Sequence, residues 1–191
     1  MPQPKLYMIL LGCKPKGRHT EQHDIFFGIA HSLKELIPDM EAFWPGSGKL
    51  HIDAWREVTQ VENYAVSVIE KKPSGRSDKS PPGNQLFFIN LGGYKEQEFE
   101  EYHYKMLAIG TEKAAAIQQA KQTAFYKHTG FKGADSHIDD KYGIDVDDIY
   151  QIEDILPRAF KKKYSIQLSV TDSVEEDAWH LGYTKFSGLL K

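Results

Sequence analysis

The chain has 191 residues, of which 40% are hydrophobic and 27% are charged, a composition typical of a globular protein rather than of a disordered chain. Its 24 basic residues are scattered among 27 acidic ones and the net charge is −3, which argues against nucleic acid or an anionic membrane as a partner. Cys13 is the one cysteine, so disulfides within the chain and multi-cysteine metal motifs are excluded, and a reducing, cytoplasmic location is expected.

The first part of the chain predicts a strand, a helix and two further strands. The apolar run at residues 6–11 ends at Gly12 and is too short for a signal-peptide core or a membrane span, so it predicts a strand. Apolar residues at helical spacing between Ile25 and Leu36 predict an amphipathic helix over about residues 21–37, interrupted by Pro38. The triplet His51-Ile52-Asp53 is then expected in a strand, and another strand lies near Tyr64.

The second part repeats this order after a segment rich in Pro, Gly, Ser and Lys at residues 71–85, which is typical of a solvated linker. A strand is expected at residues 86–91, a long helix at about 100–127, a strand carrying His137-Ile138-Asp139, and a last strand near Tyr150. The alternating stretch at residues 164–170 predicts a further strand, and residues 179–190 are a candidate for one more.

Comparing the chain with itself indicates a tandem duplication. Residues 6–31 aligned on 86–111, and 51–69 aligned on 137–155, share twelve identities in 45 positions, where average composition would give roughly three by chance. The matched polar residues are Glu21 with Glu101, His23 with His103, His51 with His137 and Asp53 with Asp139. Both halves therefore keep a Glu-x-His pair and a His-Ile-Asp triplet.

The predicted fold is α+β or α/β, with two pseudo-symmetric β-α-β-β repeats that share a sheet and with C-terminal strands that extend it. Residues 1–70 form the first repeat, 71–85 the linker, 86–156 the second repeat, and 157–191 the C-terminal strands. All four parts are expected to form one compact domain.

The segments LLGCKPKGRHTEQHD, KLHIDAWREV, LFFINLGGY and SHIDDKYGIDVDDIY are similar to those of a bacterial family catalogued as domain of unknown function 1543. The resemblance runs from about Leu6 to Asp154. It implies a small, repeat-containing bacterial protein, and it implies no activity.

The repeated polar residues are candidate metal ligands or catalytic groups. Because alternate side chains of a strand share a face, His51 and Asp53 lie side by side, as do His137 and Asp139. If the strand that carries the triplet runs parallel to the first strand, these groups join the Glu-x-His pair at the carboxyl end of the sheet. Two imidazoles and two carboxylates suit Zn, Mn or Fe, and the predicted ligands are Glu21, His23, His51 and Asp53.

A metal-free alternative is acid–base catalysis by the same groups, with candidate residues His23, His51, Asp53, His103, His137 and Asp139. The serine hydrolase elbow and the P-loop are absent from the sequence, which argues against those two hydrolase designs. A polar-site enzyme such as a metal-assisted hydrolase is the enzyme class considered. Cys13 is a weaker candidate: it precedes a predicted helix N-terminus that would lower the thiol pKa, but its counterpart in the second half is Gly93.

A second alternative is an anion-binding module. The basic loop at residues 12–20 carries Lys14, Lys16 and Arg18 before the predicted helix, where a phosphate or carboxylate would bind, whereas the matching loop of the second half is acidic.

A third alternative is a structural or protein-interaction role, in which the repeated polar pairs are buried and stabilise the fold. Tyr64 and Tyr150 are expected in the core, and Trp55 and Trp179 are expected to pack. The expected partner is a small molecule or a protein of unknown identity, and the chain is a candidate for self-association into a homo-oligomer.

Overall fold

The computed structural model describes residues 3–71, 83–94, 97–129, 145–173 and 175–190. Over these ranges the chain is a mixed α and β protein with ten strands in three antiparallel sheets and with five α-helices. It divides into two compact units: unit 1 comprises Met1–Arg76 and Ile155–Lys191, and unit 2 comprises Ser77–Asp154.

The larger sheet of unit 1 has four antiparallel strands in the order β10-β3-β1-β2. These strands are β1 (Lys5–Cys13), β2 (Gln22–Ala30), β3 (His51–Val58) and β10 (His180–Lys185). The central strand β1 is buried on both faces, which explains why its sequence is a continuous apolar run rather than an alternating one.

One face of this sheet packs against a 3-10 turn (Leu33–Leu36) and helix α1 (Ile37–Phe43). Gly28 of β2 allows this close approach, because a Cβ there would lie 2.8 Å from Leu36 Cδ2. Pro38 lies in the first turn of α1, where its missing N–H costs nothing, so it begins the helix rather than interrupting one. The resulting core contains Tyr7, Ile9, Leu11, Phe26, Ala30, Leu33, Leu36, Ile37, Met40 and Ile52.

A second sheet of unit 1 has three strands in the order β4-β5-β9. They are β4 (Gln60–Val61), β5 (Tyr64–Glu70) and β9 (Tyr164–Val170). Three short helices complete the described C-terminal part: α3 (Ile152–Ile155), α4 (Arg158–Lys163) and α5 (Phe186–Leu189).

Unit 2 contains β6 (Gln85–Tyr94), β7 (Glu101–Gly110), helix α2 (Lys113–Thr129) and β8 (Asp145–Gln151), with strand order β7-β6-β8. Ala116 and Ala120 of α2 are fully buried, and these small side chains allow the helix to lie close to the sheet. The core that they join contains Phe87, Ile89, Leu91 and Ala108.

The sheets of the two units have the same local arrangement. In each, a central strand pairs with the following strand on one side and with a later strand on the other. The register against the later strand shifts between Leu10 and Leu11 in unit 1 and between Asn90 and Leu91 in unit 2. Each shift is a β-bulge that leaves one residue of the later strand unpaired: Asp53 in β3 and Asp147 in β8.

Several expectations about these elements were wrong. Residues 22–30 and 101–110 are strands, although a helix was predicted over 21–37 and the second helix was predicted to begin at about 100. The described order in each half is therefore strand, strand, helix, strand rather than β-α-β-β. The strands β1–β3 and β6–β8 belong to separate sheets rather than to a shared one, and all pairing is antiparallel.

The physical reason lies in the apolar spacing of β2. Ile25 and Ile29 are four residues apart and fit a helical stripe, but residues 26–30 are all buried, because both faces of this strand are covered. Burial on both faces removes the alternation that identifies a strand.

Among the described residues, no helix is both long and apolar enough to cross a membrane.

Candidate functional site

Four polar side chains meet at one corner of the larger sheet of unit 1. Gly12 at the end of β1 lies opposite His23 of β2 on one side and opposite His51 of β3 on the other. Residues at one level of neighbouring strands project from the same face, so both imidazoles point over Gly12. Glu21 and Asp53 are each two residues along from a histidine and share that face.

The bulge in β3 places Asp53. Ile52 pairs with Leu11 and faces the core, with 0% exposure, so His51 and Asp53 face away from the core. After the extra residue Asp53, the alternation reverses: Trp55 pairs with Ile9 and packs against the core. Bulges commonly re-aim side chains beside functional sites in this way.

Gly12 supplies the space in which the polar groups meet. A Cβ at this position would lie 2.2 Å from Asp53 Oδ2 and 2.4 Å from His51 Nε2. Any other residue at position 12 would therefore displace both side chains.

We define the unit 1 polar cluster as Glu21, His23, His51 and Asp53. His51 Nε2 lies 3.0 Å from Glu21 Oε1 and 3.3 Å from Asp53 Oδ1. His23 Nε2 lies 3.3 Å from Asp53 Oδ2 and 3.8 Å from Glu21 Oε2. Each of these two Nε2 atoms thus has an oxygen of both carboxylates within 4 Å.

The cluster is closed on one side and open on the other. The His51 side chain is only 7% exposed and that of Asp53 is 23% exposed, whereas those of His23 and Glu21 are 41% and 45% exposed. Within the described part of the chain, His51 Nε2 and Asp53 Oδ2 are buried and form no hydrogen bond, although each lies within 3.3 Å of a polar atom of the cluster.

Tyr183 of β10 covers the closed side, and the sequence analysis did not identify it. Its ring centroid lies 4.4 Å from that of His51, with 38° between the planes. Position 183 lies in an irregular stretch of β10 that begins at Leu181 and contains Gly182 at φ +120°. No sequence signal marks Tyr183, because β10 is more than a hundred residues from β3 along the chain.

Unit 2 has a related cluster, which we call the unit 2 polar cluster: Glu101, His103 and Asp147. Ligand atoms of the three side chains lie within 4.8 Å of one another, and all three are exposed. His103 Nδ1 lies 3.0 Å from Asp147 Oδ2, and His103 Nε2 lies 3.9 Å from Glu101 Oε2. A Cβ on Gly92 would lie 2.5 Å from Asp147 Oδ2, which repeats the relation between Gly12 and Asp53.

Asp147 was missed because the sequence comparison aligned His51–Asp53 with His137–Asp139. The register of β8 instead places Asp145 opposite Gly92, as His51 is opposite Gly12, and Asp147 at the bulge. His137 and Asp139 lie outside the described residues. Among the described residues, the unit 2 polar cluster therefore contains one histidine, whereas the unit 1 polar cluster contains two.

The basic loop (residues 12–20) connects β1 to β2, so it does not precede a helix as predicted. The Arg18 N–H donates to the Pro15 carbonyl oxygen at 3.2 Å, and Gly17 has φ +83°, which together form a turn with Lys16 at its tip. Lys14, Lys16 and Arg18 are all exposed.

Cys13 is fully buried, and burial raises the pKa of its thiol, with a further contribution from the Glu21 carboxylate. The predicted lowering of this pKa was wrong because the chain after Cys13 leads into a strand. Tyr150 is 43% exposed and its hydroxyl donates to Asp148 Oδ1 at 3.1 Å, so it is not a core residue.

Residues 18–68 match the model of a family described as Domain of Unknown Function (DUF1543). The predicted resemblance is confirmed over this segment, which contains all four residues of the unit 1 polar cluster. No curated protein matches the chain.

A solved structure described as the crystal structure of a protein Il1583 from Idiomarina loihiensis is similar to the chain. The TM-score is 0.63 at 19% identity, and the match covers 96% of this chain and 97% of that one. This likeness concerns the fold alone.

Proposed function

We propose that the unit 1 polar cluster binds one divalent transition-metal ion. Its donors are two imidazole nitrogens and two carboxylate groups, a set that suits Zn, Mn or Fe. These four residues were predicted from their recurrence in the second half of the chain, and the antiparallel strands β1, β2 and β3 bring them together by cross-strand pairing around Gly12.

Three of the four nitrogen-to-oxygen distances in the cluster match those between ligand atoms of one ion, and the fourth, from His23 Nε2 to Glu21 Oε2, is longer at 3.8 Å. Atoms bonded to one ion at about 2.1 Å lie roughly 3.0 to 3.4 Å apart in octahedral or tetrahedral geometry. The closest nitrogen-to-oxygen distances around His51 and Asp53 are 3.0, 3.3 and 3.3 Å.

The observation that carries the proposal is the state of His51. Its Nε2 atom is buried and lies within 3.3 Å of two carboxylates, yet it forms no hydrogen bond with any described residue. Leaving a buried polar atom without a partner costs about 1–3 kcal/mol, and such atoms in native structures are commonly satisfied by water or an ion. A metal ion would satisfy His51 Nε2 and Asp53 Oδ2 at once.

The structural alternative fits the cluster less well. A pair of groups that stabilises the fold by burial should be enclosed and hydrogen-bonded. Glu21 and His23 are instead more than 40% exposed. Structural zinc sites are closed, whereas ions that act on a ligand keep an open position, so the exposed side of the cluster supports a ligand-binding role for the ion.

The test is metal analysis of protein purified without a histidine tag, followed by calorimetric titration of the stripped protein with Zn²⁺ and with Mn²⁺. We expect His51→Ala and Asp53→Asn each to remove one tightly bound ion per chain. His31→Ala is the matched control, because this exposed histidine follows the other end of β2. Equal metal content in wild type and His51→Ala would overturn the proposal.

We also propose that the chain arose by tandem duplication and that each copy kept a polar cluster. The support is the shared strand order, the bulge at the same place and the repeated Gly, Glu-x-His and bulged Asp positions. The unit 2 polar cluster has one described imidazole and is exposed, so we expect its affinity for Zn²⁺ to be the lower of the two. A second, weaker titration step that His103→Ala removes would support it.

We further propose that the protein is located in the cytoplasm. This proposal rests on Cys13, a buried free thiol in a chain with no second cysteine. Fractionation of cells that express the protein tests this location.

A further inference from the structure

We infer that the open side of the unit 1 polar cluster binds a small molecule bearing a phosphate or carboxylate group. The anionic group of this molecule bridges the metal ion and the basic loop. This inference rests on the proposed metal function and adds the chemical class of the ligand. It is supported by the position of the basic loop beside the cluster, by the lack of described carboxylate partners for the loop cations, and by the exposure of the side of the cluster that adjoins the loop.

The basic loop joins the two strands that form the cluster. Lys14 follows Gly12 by two residues and Arg18 precedes Glu21 by three. A chain spans at most about 3.3–3.6 Å per residue, so the Arg18 Cα lies within about 11 Å of the Glu21 Cα, and the Lys14 Cα within about 7 Å of the Gly12 Cα. Long cationic side chains at these positions can reach a group bound at the cluster.

The loop cations have no carboxylate partner in the described part of the chain. The lysine and arginine ion pairs found there are Lys5–Glu57, Arg56–Asp177 and Lys163–Glu70. Lys14, Lys16 and Arg18 are exposed, and the turn with Gly17 at φ +83° keeps them on one short loop. Unpaired cations concentrated on one short loop attract anions.

The exposed side of the cluster is the side of the hairpin. Glu21, 45% exposed, adjoins the basic loop directly, and His23 follows it on β2, whereas the buried residue His51 lies on β3 under Tyr183. A ligand that reaches the ion therefore enters beside the loop. The loop on that side carries three exposed cations that can reach toward such a ligand, and this favours anionic oxygen over neutral ligands.

The second half of the chain supplies an internal contrast. The stretch between β6 and β7 carries Glu96, Glu98 and Glu100 at the positions where the first half carries Lys16, Arg18 and Thr20. An anion is disfavoured beside such a loop. We therefore expect the anionic ligand at the unit 1 polar cluster and not at the unit 2 polar cluster.

The test uses the full chain loaded with Mn²⁺ and freed of excess metal. Inorganic phosphate and acetate are titrated separately into the loaded and the metal-stripped protein, with calorimetric detection. The loop variant is Lys14→Ala/Lys16→Ala/Arg18→Ala. Its matched control is Lys34→Ala/Arg158→Ala/Lys162→Ala, which removes three exposed cations from other elements of unit 1.

We expect at least one of the two anions to bind to the loaded protein and not to the stripped protein. The loop variant should weaken that binding roughly tenfold, as the loss of three exposed charge contacts would predict, while the control variant binds the anion as tightly as wild type does. Phosphate binding alone would indicate a phosphate-bearing ligand, and acetate binding alone a carboxylate-bearing one.

Three results would overturn the inference and leave the metal function standing: neither anion binds to the loaded protein, the loop variant binds as tightly as wild type, or the control variant is weakened equally. Anion binding that depends on the loop but persists in the stripped protein would also overturn the bridging arrangement. If wild type takes up no Mn²⁺ or Zn²⁺ at all, the proposed metal function itself fails.

Discussion

The ring of Tyr183 covers the imidazole of His51, with their centroids 4.4 Å apart. This contact joins the C-terminal strand β10 to the least exposed ligand of the proposed centre, although β10 contributes no donor to it. Tyr183 is itself 62% exposed, so its ring lies between His51 and solvent.

We expect Tyr183→Ala to accelerate metal loss several-fold, because His51 would gain both hydration and freedom to rotate. Tyr183→Phe keeps the covering ring and should behave as wild type. The measurement is the rate at which a chromogenic chelator removes Zn²⁺ from the loaded protein. Equal rates for the Ala and Phe variants would show that the ring does not hold the imidazole in place.

Gly12→Ala should abolish tight metal binding while the fold survives. The added Cβ would lie 2.2 Å from Asp53 Oδ2 and 2.4 Å from His51 Nε2, and these are the ends of side chains that can move away. We expect metal affinity to fall by about 100-fold or more, since two direct ligands are displaced together, whereas thermal stability without metal changes little.

Gly93→Ala is the matched control for this substitution, because no atom of the described residues other than its chain neighbours lies within 4 Å of the position of its added Cβ. It should change neither property. A Gly12→Ala protein that binds Zn²⁺ normally would contradict the account of the cluster's geometry.

Asp177→Ala should destabilise unit 1. The side chain of Asp177 is 3% exposed and accepts hydrogen bonds from the Thr59 N–H at 3.1 Å and from the Thr59 hydroxyl at 2.6 Å. It also lies 3.9 Å from Arg56, whose pKa is lowered by burial and partly restored by this carboxylate. Loss of the partner of a buried charge costs about 3 kcal/mol.

Urea unfolding of wild type, Asp177→Ala and Asp172→Ala would measure this cost. Asp172 is exposed and lies in the same segment, so its replacement should change the free energy of unfolding by less than about 0.5 kcal/mol. Similar losses for both variants would mean that Asp177 has no special role.

Cys13 predicts how stability varies at alkaline pH. Burial raises the pKa of its thiol above the ordinary value of 9.0, so the folded state favours the protonated form. A group of this kind stabilises the fold fully below its unfolded pKa and loses that contribution as pH rises. Wild type should therefore lose stability between pH 8 and pH 10 more steeply than Cys13→Ala does, as measured by urea unfolding at each pH.

The same property makes the thiol unreactive. Folded protein should react with a thiol reagent at pH 8 far more slowly than urea-unfolded protein, because Cys13 is 0% exposed. Rapid labelling of the folded chain would contradict both its burial and the direction of its pKa shift.

The sequence was sufficient to identify the residues of the unit 1 polar cluster but not how they meet. Glu21, His23, His51 and Asp53 were chosen because their residue types recur in the second half, and the fold brings them together. Their meeting point was derived from a parallel sheet with a helix at residues 21–37, and both parts of that derivation were wrong. Strand pairing is set by long-range contacts, which residue spacing does not encode.

The second half shows a different limit. Alignment by identity selected His137–Asp139, since three identical residues outweigh a change in chain length. Backbone pairing selects Asp145–Asp147, because the bulge and the register against β6 determine which residue lies opposite Gly92. Tyr183 illustrates the same limit, because only the pairing of β10 with β3 brings it to His51.

The unpaired residue Asp53 has a consequence for how β3 tolerates change. His51 and Ile52 take their facing from the segment before the bulge, and Trp55 takes its facing from the segment after it. The bulge thus separates the side-chain orientation at the two ends of β3. Apolar residues around Trp55 can therefore be substituted without changing the orientation of the His51 side chain. Deletion of the bulged residue would restore strict alternation with Ile52 and Trp55 still facing the core, and it would remove only the Asp53 carboxylate from the unit 1 polar cluster.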